Sequence, residues 1–236
     1  MAVYFSKNRY CKCAVAPPPP GKELDEFTIE LKFSSTDTHS GPYSCVTHPT
    51  FFTNAINNYY HNPFTTIGTR NGYLFFAPGE YTSDGKDAAV YYTDNLVCDG
   101  KSHNLAVTLK EGITKIYLDN TLIINDKIFK KFYNSEILFG STWYYSNWNN
   151  NIDNSSFKPN INFNLLYFKL YDKAIDKKDF FNIIEYKPIY FYPGFHIFTK
   201  NNSKTYLKDY YSNIDLRLID PVDCKSDMIF SNISIN

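Results

Sequence analysis

Asp99-Gly100-Lys101-Ser102-His103-Asn104-Leu105-Ala106-Val107-Thr108-Leu109-Lys110 is followed by Glu111-Gly112, then by Ile113-Thr114-Lys115-Ile116-Tyr117-Leu118, then by Asp119-Asn120 and Thr121-Leu122-Ile123-Ile124. The first apolar run alternates. His103, Leu105, Val107 and Leu109 fall on one side, and Asn104, Ala106, Thr108 and Lys110 on the other. The second run sets Thr114, Ile116 and Leu118 against Lys115, Tyr117 and Asp119. Period two over short runs separated by turn residues predicts antiparallel strands. Glu111-Gly112 and Asp119-Asn120 supply the tight turns, because Gly and Asn adopt the left-handed backbone that two-residue hairpins need. The stretch is therefore a three-strand meander, and one of its faces must be covered by a second layer.

Several of these residues also carry a resemblance. Asp99-Gly100-Lys101, His103, Leu105-Ala106-Val107-Thr108, Gly112 and Tyr117-Leu118-Asp119 resemble, in that order, the central pattern of laminin-G-like domains of the concanavalin A-like lectin/glucanase superfamily. Ile137-Leu138-Phe139-Gly140 is similar to the apolar-Gly strand of those domains, and Phe163 to Ile184 to their closing strand and short helix. Phe27-Thr28-Ile29-Glu30-Leu31-Lys32-Phe33 is similar to their opening strand. Ser102 departs from the pattern, which often has Trp there, as does Asn120, where Gly is usual. The segment from Ser34 to Tyr92 matches loosely. The resemblance implies an all-β fold, a concanavalin A-like antiparallel jelly-roll sandwich with one short helix near the C-terminal end of the core domain. It is specific for fold and silent on function. It also implies calcium as the usual ion, for which Asp84, Asp87, Asp94, Asp99 and Asp153 are the acidic loop residues at hand. None of them sits in a spacing that specifies a site.

The 236 residues suffice for one large sandwich or two small domains. Aromatic residues make up 18% of the chain, with 21 Tyr and 20 Phe, which favours strands and amphipathic surface rings. The 24 basic and 24 acidic side chains cancel, so no electrostatic footprint for nucleic acid or an anionic membrane surface is present. No apolar run approaches the ~18 residues of a spanning helix, so membrane insertion is not expected. Met1 to Tyr10 carries Lys7 and Arg9 without an apolar run behind them and does not read as a signal peptide. Cys11, Cys13, Cys45, Cys98 and Cys224 fit no zinc-ligand spacing and read as reduced thiols.

Residues 1–23 read as an N-terminal arm. Val3-Tyr4-Phe5 is a candidate edge strand, and Pro17 to Pro20 form a stiff segment of about 12 Å. The arm reads either as a spacer or as a segment that docks on a neighbouring subunit. Residues 24–185 form the sandwich. Strands are predicted at Phe27–Phe33, Phe64–Ile67, Gly72–Ala77 and Ala88–Tyr92, and a short helix at 176–184 capped by Asp176. Residues 186–236 form a C-terminal extension with further strand-like runs.

Glucanases on this architecture carry acids at alternate positions of one strand, because two carboxyl groups must face one another across the scissile bond. Glu30 is alone on its strand, so that route has no support here. No nucleophile elbow, phosphate-binding loop or HExxH occurs. His103, on the apolar face of a strand, reads as a packed, hydrogen-bonded core residue. The best recognition candidate is the segment holding Trp143, Tyr144, Tyr145, Trp148, Asn149, Asn151 and Asp153, which contains both tryptophans. Its rings suit a protein hot spot ahead of sugar faces, and an aromatic loop tucked over the sandwich edge is the alternative. The resulting expectation is a non-catalytic binding or assembly module, a structural component of a virus or phage particle contacting other protein subunits. The alternatives are a glycan-binding lectin at a cell surface and a glycoside hydrolase with an atypical acid pair.

Overall fold

The computed structural model describes residues 3–5, 13–16, 18–19, 21, 23–39, 49–55, 64–78, 90–143, 157–159, 161–181, 187–193, 198–201, 204–207 and 216–219. In chain order the strands are β1 (Val3–Phe5), β2 (Cys13–Ala16), β3 (Phe27–Ser34), β4 (Thr50–Ala55), β5 (Phe64–Arg70) and β6 (Tyr73–Ala77). They continue with β7 (Tyr91–Leu96), β8 (Ser102–Lys110), β9 (Ile113–Leu118), β10 (Thr121–Asp126), β11 (Ile137–Phe139) and β12 (Ser141–Trp143). The last six are β13 (Phe157–Pro159), β14 (Phe163–Tyr171), β15 (Tyr190–Pro193), β16 (Phe198–Asn201), β17 (Lys204–Leu207) and β18 (Leu216–Ile219).

One sheet has seven strands, ordered β1-β14-β3-β8-β9-β10, with β15 also paired to β14. The other has nine, ordered β16-β17-β18-β2-β11-β4-β5-β6-β7, and β12 pairs with β13 in a separate ribbon. Every pairing is antiparallel. The meander read from Asp99 to Ile124 is present as β8, β9 and β10. Its turns use left-handed residue pairs, Glu111 (φ 50°) with Gly112 (φ 73°) and Asp119 (φ 47°) with Asn120 (φ 66°). Two consecutive positive φ values define the type I′ turn, whose twist matches that of the strands it joins.

The core lies between the sheets. Phe27, Ile29, Leu31 and Phe33 of β3 meet Leu105, Val107 and Leu109 of β8 and Ile116 of β9, all fully buried. From the opposite sheet come Phe51, Phe52, Ile67, Leu74, Phe76 and Phe139. The phenylalanines interlock: Phe33 lies 4.3 Å from Phe51, and Phe139 lies 4.9 Å from Phe168 in an edge-to-face contact. Each such ring contributes about 1.5–3 kcal/mol through burial. Phe132 joins this core from outside any regular strand. Its backbone exchanges two hydrogen bonds with Leu24, each 2.8 Å. Asn54 holds the turn that follows. Its Nδ2 donates to the carbonyls of Tyr133 and Ser135, and its Oδ1 accepts the Tyr133 N–H at 2.8 Å.

The outer face of the seven-stranded sheet is also covered. The chain leaving β14 folds back over it, and Tyr171, Ile175 and Phe180 pack on Ala106 with Tyr117 alongside. Thr28 pins this strap from both sides: its hydroxyl donates to the Lys173 carbonyl and accepts the Ile175 N–H, both at 2.9 Å. The helix expected from Asp176 is instead a single 3-10 turn, Lys177–Asp179, and Asp176 makes no side-chain cap. The reason is that Phe180 and Phe181 are drawn onto the sheet; Phe180 sits edge-on to Tyr117 at 5.1 Å, and Phe181 adopts φ 64°. The strand expected at Ala88–Tyr92 starts later, as β7 at Tyr91.

The terminal segments supply strands to both sheets. β1 lies along the edge of β14 that faces away from β3, and β2 is inserted between β11 and β18. β16, β17 and β18 reach the nine-stranded sheet through β2.

Candidate functional site

Among the described residues, four large hydrophobic side chains stand exposed: Tyr73 (44%), Tyr92 (51%), Leu96 (45%) and Leu122 (47%). The first three share one surface. On β6, Leu74 and Phe76 enter the core while Tyr73 and Phe75 point the other way, as strand alternation requires. Register places Tyr73 opposite Leu96 and Phe75 opposite Tyr92. Across the other edge of β6, Arg70 lies opposite Tyr73 and Gly68 opposite Phe75. The Asn71-Gly72 turn, with φ 54° and 85°, is a third type I′ hairpin and fixes that register.

The surface has a built floor. Phe75 is fully buried although it faces away from the core, because it lies flat over Gly68. A Cβ at Gly68 would stand 2.2 Å from the Pro49 carbonyl oxygen and 2.7 Å from the Phe75 ring. Tyr92 packs on Phe75 at 6.2 Å, and the Arg70 guanidinium lies 5.2 Å from the centre of the Tyr92 ring. That cation–π contact holds an exposed ring in one orientation. Between the two pairs β7 carries extra residues, and Thr93 organises them by donating to the Leu74 carbonyl at 2.9 Å. Asp94 is exposed on this bulged stretch. The result is an aromatic platform of Tyr73, Tyr92 and Leu96 flanked by one guanidinium and one carboxylate. Sequence reasoning missed it, because each ring alone reads as a core residue of its strand.

The aromatic segment proposed from sequence is placed only at its base. Trp143 ends β12 with its backbone paired to Phe157 of β13, so the two ends of the segment lie side by side. Tyr144, Tyr145, Trp148, Asn149, Asn151 and Asp153 lie outside the described residues.

Three acidic residues, Glu30, Asp99 and Asp119, are bound to basic side chains. His103 is buried, its Nδ1 2.8 Å from Asp119 Oδ2 and its Nε2 3.0 Å from Asp99 Oδ1. Both ring nitrogens thus lie within hydrogen-bond distance of a carboxyl oxygen. Asp119 also accepts the Asn104 N–H at 2.8 Å, and Asp99 that of Lys101 at 2.9 Å. The Lys101 N–H and the imidazole hold the Asp99 carboxyl below its ordinary value, at about 2. Together these bonds tie the β7–β8 connection, the start of β8 and the β9–β10 turn into one rim. Glu30 is fully buried under the strap, with Lys169 Nζ 3.0 Å from its Oε2 and the Phe181 N–H donating to its Oε1 at 3.0 Å. Burial raises the Glu30 carboxyl above its ordinary value, against the pull of Lys169. Cys98 is a buried thiol, and burial raises it as well.

Among the described residues, no group of three or more His, Cys, Asp or Glu side chains is arranged to hold a metal ion. Of the five loop acids considered, Asp99 is bound to His103 and Lys101, and Asp94 stands on the aromatic platform. Asp84, Asp87 and Asp153 lie outside the described residues. Among those residues no helix is long and apolar enough to cross a membrane.

No family model and no curated protein matches the chain. Solved structures do. A "putative carbohydrate binding protein" from Bacteroides ovatus is similar over 90% of this chain and 59% of its own, at 16% identity and TM-score 0.58. The Ruminococcus gnavus IT-sialidase CBM40 bound to alpha2,3 sialyllactose is similar over 76% of this chain and 95% of its own, at 12% identity and TM-score 0.51. Domains LG4-5 of the mouse laminin alpha1 chain are similar over 79% of this chain and 44% of theirs, at 14% identity and TM-score 0.49. The chain thus spans less than two thirds of the laminin and Bacteroides chains. Two antiparallel sheets stacked in this way define a concanavalin A-like jelly-roll sandwich, and that is the fold of this protein.

Proposed function

We propose that the protein is a non-catalytic binding module that recognises glycans through the outer face of β5, β6 and β7. The observation that carries this reading is the grouping of Tyr73, Tyr92 and Leu96 on one surface, with Arg70 fixing the Tyr92 ring. A tyrosine ring offers an apolar face and a polar tip, and Arg70 and Asp94 place hydrogen-bonding groups beside it. The fold supports the reading, since one similar structure is titled a "putative carbohydrate binding protein" and another is bound to alpha2,3 sialyllactose. Acid catalysis of glycoside hydrolysis needs two carboxyl groups facing a substrate. Glu30, Asp99 and Asp119 are instead bound to Lys169 and His103.

A glycan array probed with the protein tests this. Binding to one class of immobilised glycan is expected, reduced at least ~10-fold by Tyr92→Ala without a change in melting temperature. A flat array, or equal binding by the variant, would overturn it. A second reading is an assembly component of a virus or phage particle, contacting neighbouring subunits through the Trp143–Asp153 segment and residues 1–23. Purified particles that lack the protein would dismiss it.

A further inference from the structure

The aromatic platform carries a charge that the fold leaves unpaired. Along β7 the exposed positions are Tyr92, Asp94 and Leu96, alternating with the half-buried Tyr91, Thr93 and Asn95. Strand geometry sets Asp94 no more than about 7 Å along the chain from each exposed neighbour. Thr93 fixes this stretch. Its hydroxyl donates to the Leu74 carbonyl at 2.9 Å and accepts the Asn95 N–H at 3.2 Å, so Thr93 is tied to β6 while Asp94 stands in solvent. Tyr73 completes the surround from β6, opposite Leu96.

Among the described residues the Asp94 side chain takes part in no hydrogen bond and no ion pair. Other acids of the sandwich differ: Asp99 and Asp119 hold His103, and Glu30 holds Lys169. The platform's own cation, Arg70, is not the partner of Asp94. Its guanidinium lies over the Tyr92 ring, 5.2 Å from the centre. The charge left open to a ligand is therefore negative.

A carboxylate set among exposed aromatic rings suits a cation. The carboxylate supplies opposite charge, and the ring faces attract ammonium groups through their quadrupole. Tyr92 already shows this second attraction in its contact with Arg70. A bare cation, however, would leave the apolar area of Tyr73, Tyr92 and Leu96 uncovered. A sugar ring bearing a free amine covers that area with its C–H face and brings the positive charge with it. An acidic sugar would set like charge against Asp94. An N-acetylated sugar would offer Asp94 no charge at all.

We propose that the platform selects glycans with free, protonated amino groups, of the glucosamine type, and that Asp94 determines this choice. The inference rests on the glycan-binding reading above and narrows it to one substrate class. Tyr73, Tyr92 and Leu96 supply contact area common to many sugars, and Asp94 supplies the discrimination. An exposed ion pair contributes little by itself. Joined to the ring contacts, it gives an expected preference of about 10-fold.

Isothermal titration of the full chain with a glucosamine oligosaccharide, and with its fully N-acetylated form of equal length, tests the proposal at mildly acidic pH, where the amines are charged. The amino form is expected to bind about 10-fold tighter. The preference should shrink at roughly 1 M salt, where charges are screened beyond ~3 Å. Asp94→Asn should bring the amino form down to the level of the N-acetylated one, with no change in melting temperature, since the fold makes no use of that side chain. Tyr92→Ala should weaken both. The proposal is overturned if the N-acetylated form binds as tightly as the amino form, if Asp94→Asn keeps the preference, or if an oligolysine of equal charge binds as well as the amino sugar. It is also overturned if neither form binds while a glycan array shows another sugar bound. That last result leaves the glycan-binding reading standing, whereas binding to no glycan of any kind removes both.

Discussion

Replacing Lys169 by Met should cost more stability than any exposed ion pair could supply. Glu30 is fully buried and Lys169 is 4% exposed, 3.0 Å apart beneath the strap. Removing one member of a buried pair leaves an uncompensated charge in a poorly solvated site, a loss of about 3–5 kcal/mol. Lys169→Met leaves the Glu30 carboxylate, which still accepts the Phe181 N–H but has lost its cation. Glu30→Gln leaves the ammonium and should cost a similar amount. The double change Glu30→Leu with Lys169→Met removes both charges. Apolar replacement of a buried pair is often neutral or stabilising by about 1–4 kcal/mol, and the orphaned Phe181 N–H offsets about 1–3 kcal/mol of that. The double variant should therefore lie within about 2 kcal/mol of wild type and well above either single variant. Urea unfolding of the four proteins, followed by tyrosine fluorescence and circular dichroism, measures the cycle. The pH sign is also fixed. Burial raises the Glu30 carboxyl in the folded state, so folding binds its proton more tightly. The contribution of this group is greatest at low pH and declines as pH rises from the ordinary carboxylate range through the raised folded value. Glu30→Gln should remove that decline. A loss below ~1 kcal/mol in Lys169→Met would refute the reasoning, since it would mean that water reaches the pair.

Gly68→Ala should destabilise the fold by about 1–3 kcal/mol, as overpacking does, because its methyl would meet the Pro49 carbonyl; denaturant midpoints check this, and a neutral result would show that β4 and β5 can part without cost. Asn54→Ala should cost about 2–3 kcal/mol through the Tyr133 and Ser135 backbone groups it strands, read as a lower melting temperature with the strand spectrum kept. Asp99 is held at about 2 in the folded state, so its contribution is present above the ordinary carboxylate range and lost as pH falls toward about 2. Asp99→Asn should thus flatten the acid limb of the stability curve between roughly pH 4 and pH 2, and an unchanged limb in acid titration would contradict the assignment.

Much of the sandwich was legible because its strands alternate cleanly between turn residues that have a backbone reason to be there. Leu105, Val107 and Ile116 could be assigned to the core from period alone, and Gly112 and Asn120 marked where the chain reverses. His103, read from its place on an apolar face as a packed, hydrogen-bonded core residue, is buried and bonded to Asp99 and Asp119. Other features depend on residues far apart in sequence. Nothing local to Glu30 signals Lys169, and both faces of β3 are buried only because the strap returns over it. The misplaced helix has the same origin: Phe180, Ile183 and Ile184 have helical spacing, but sheet contacts capture Phe180 and Phe181 first. β2 is too short a run, Cys-Ala-Val-Ala, for a periodic signal. The Tyr73 and Tyr92 platform escaped notice because exposure depends on which strand ends a sheet, and pattern gives the face of a strand but not its place in the order.

The insertion of β2 between β11 and β18 has a consequence for synthesis. A ribosome delivers Cys13–Ala16 long before Leu216–Ile219, so the ladder between them closes only after the later strand has emerged, and until then that edge of the earlier strand stays unpaired.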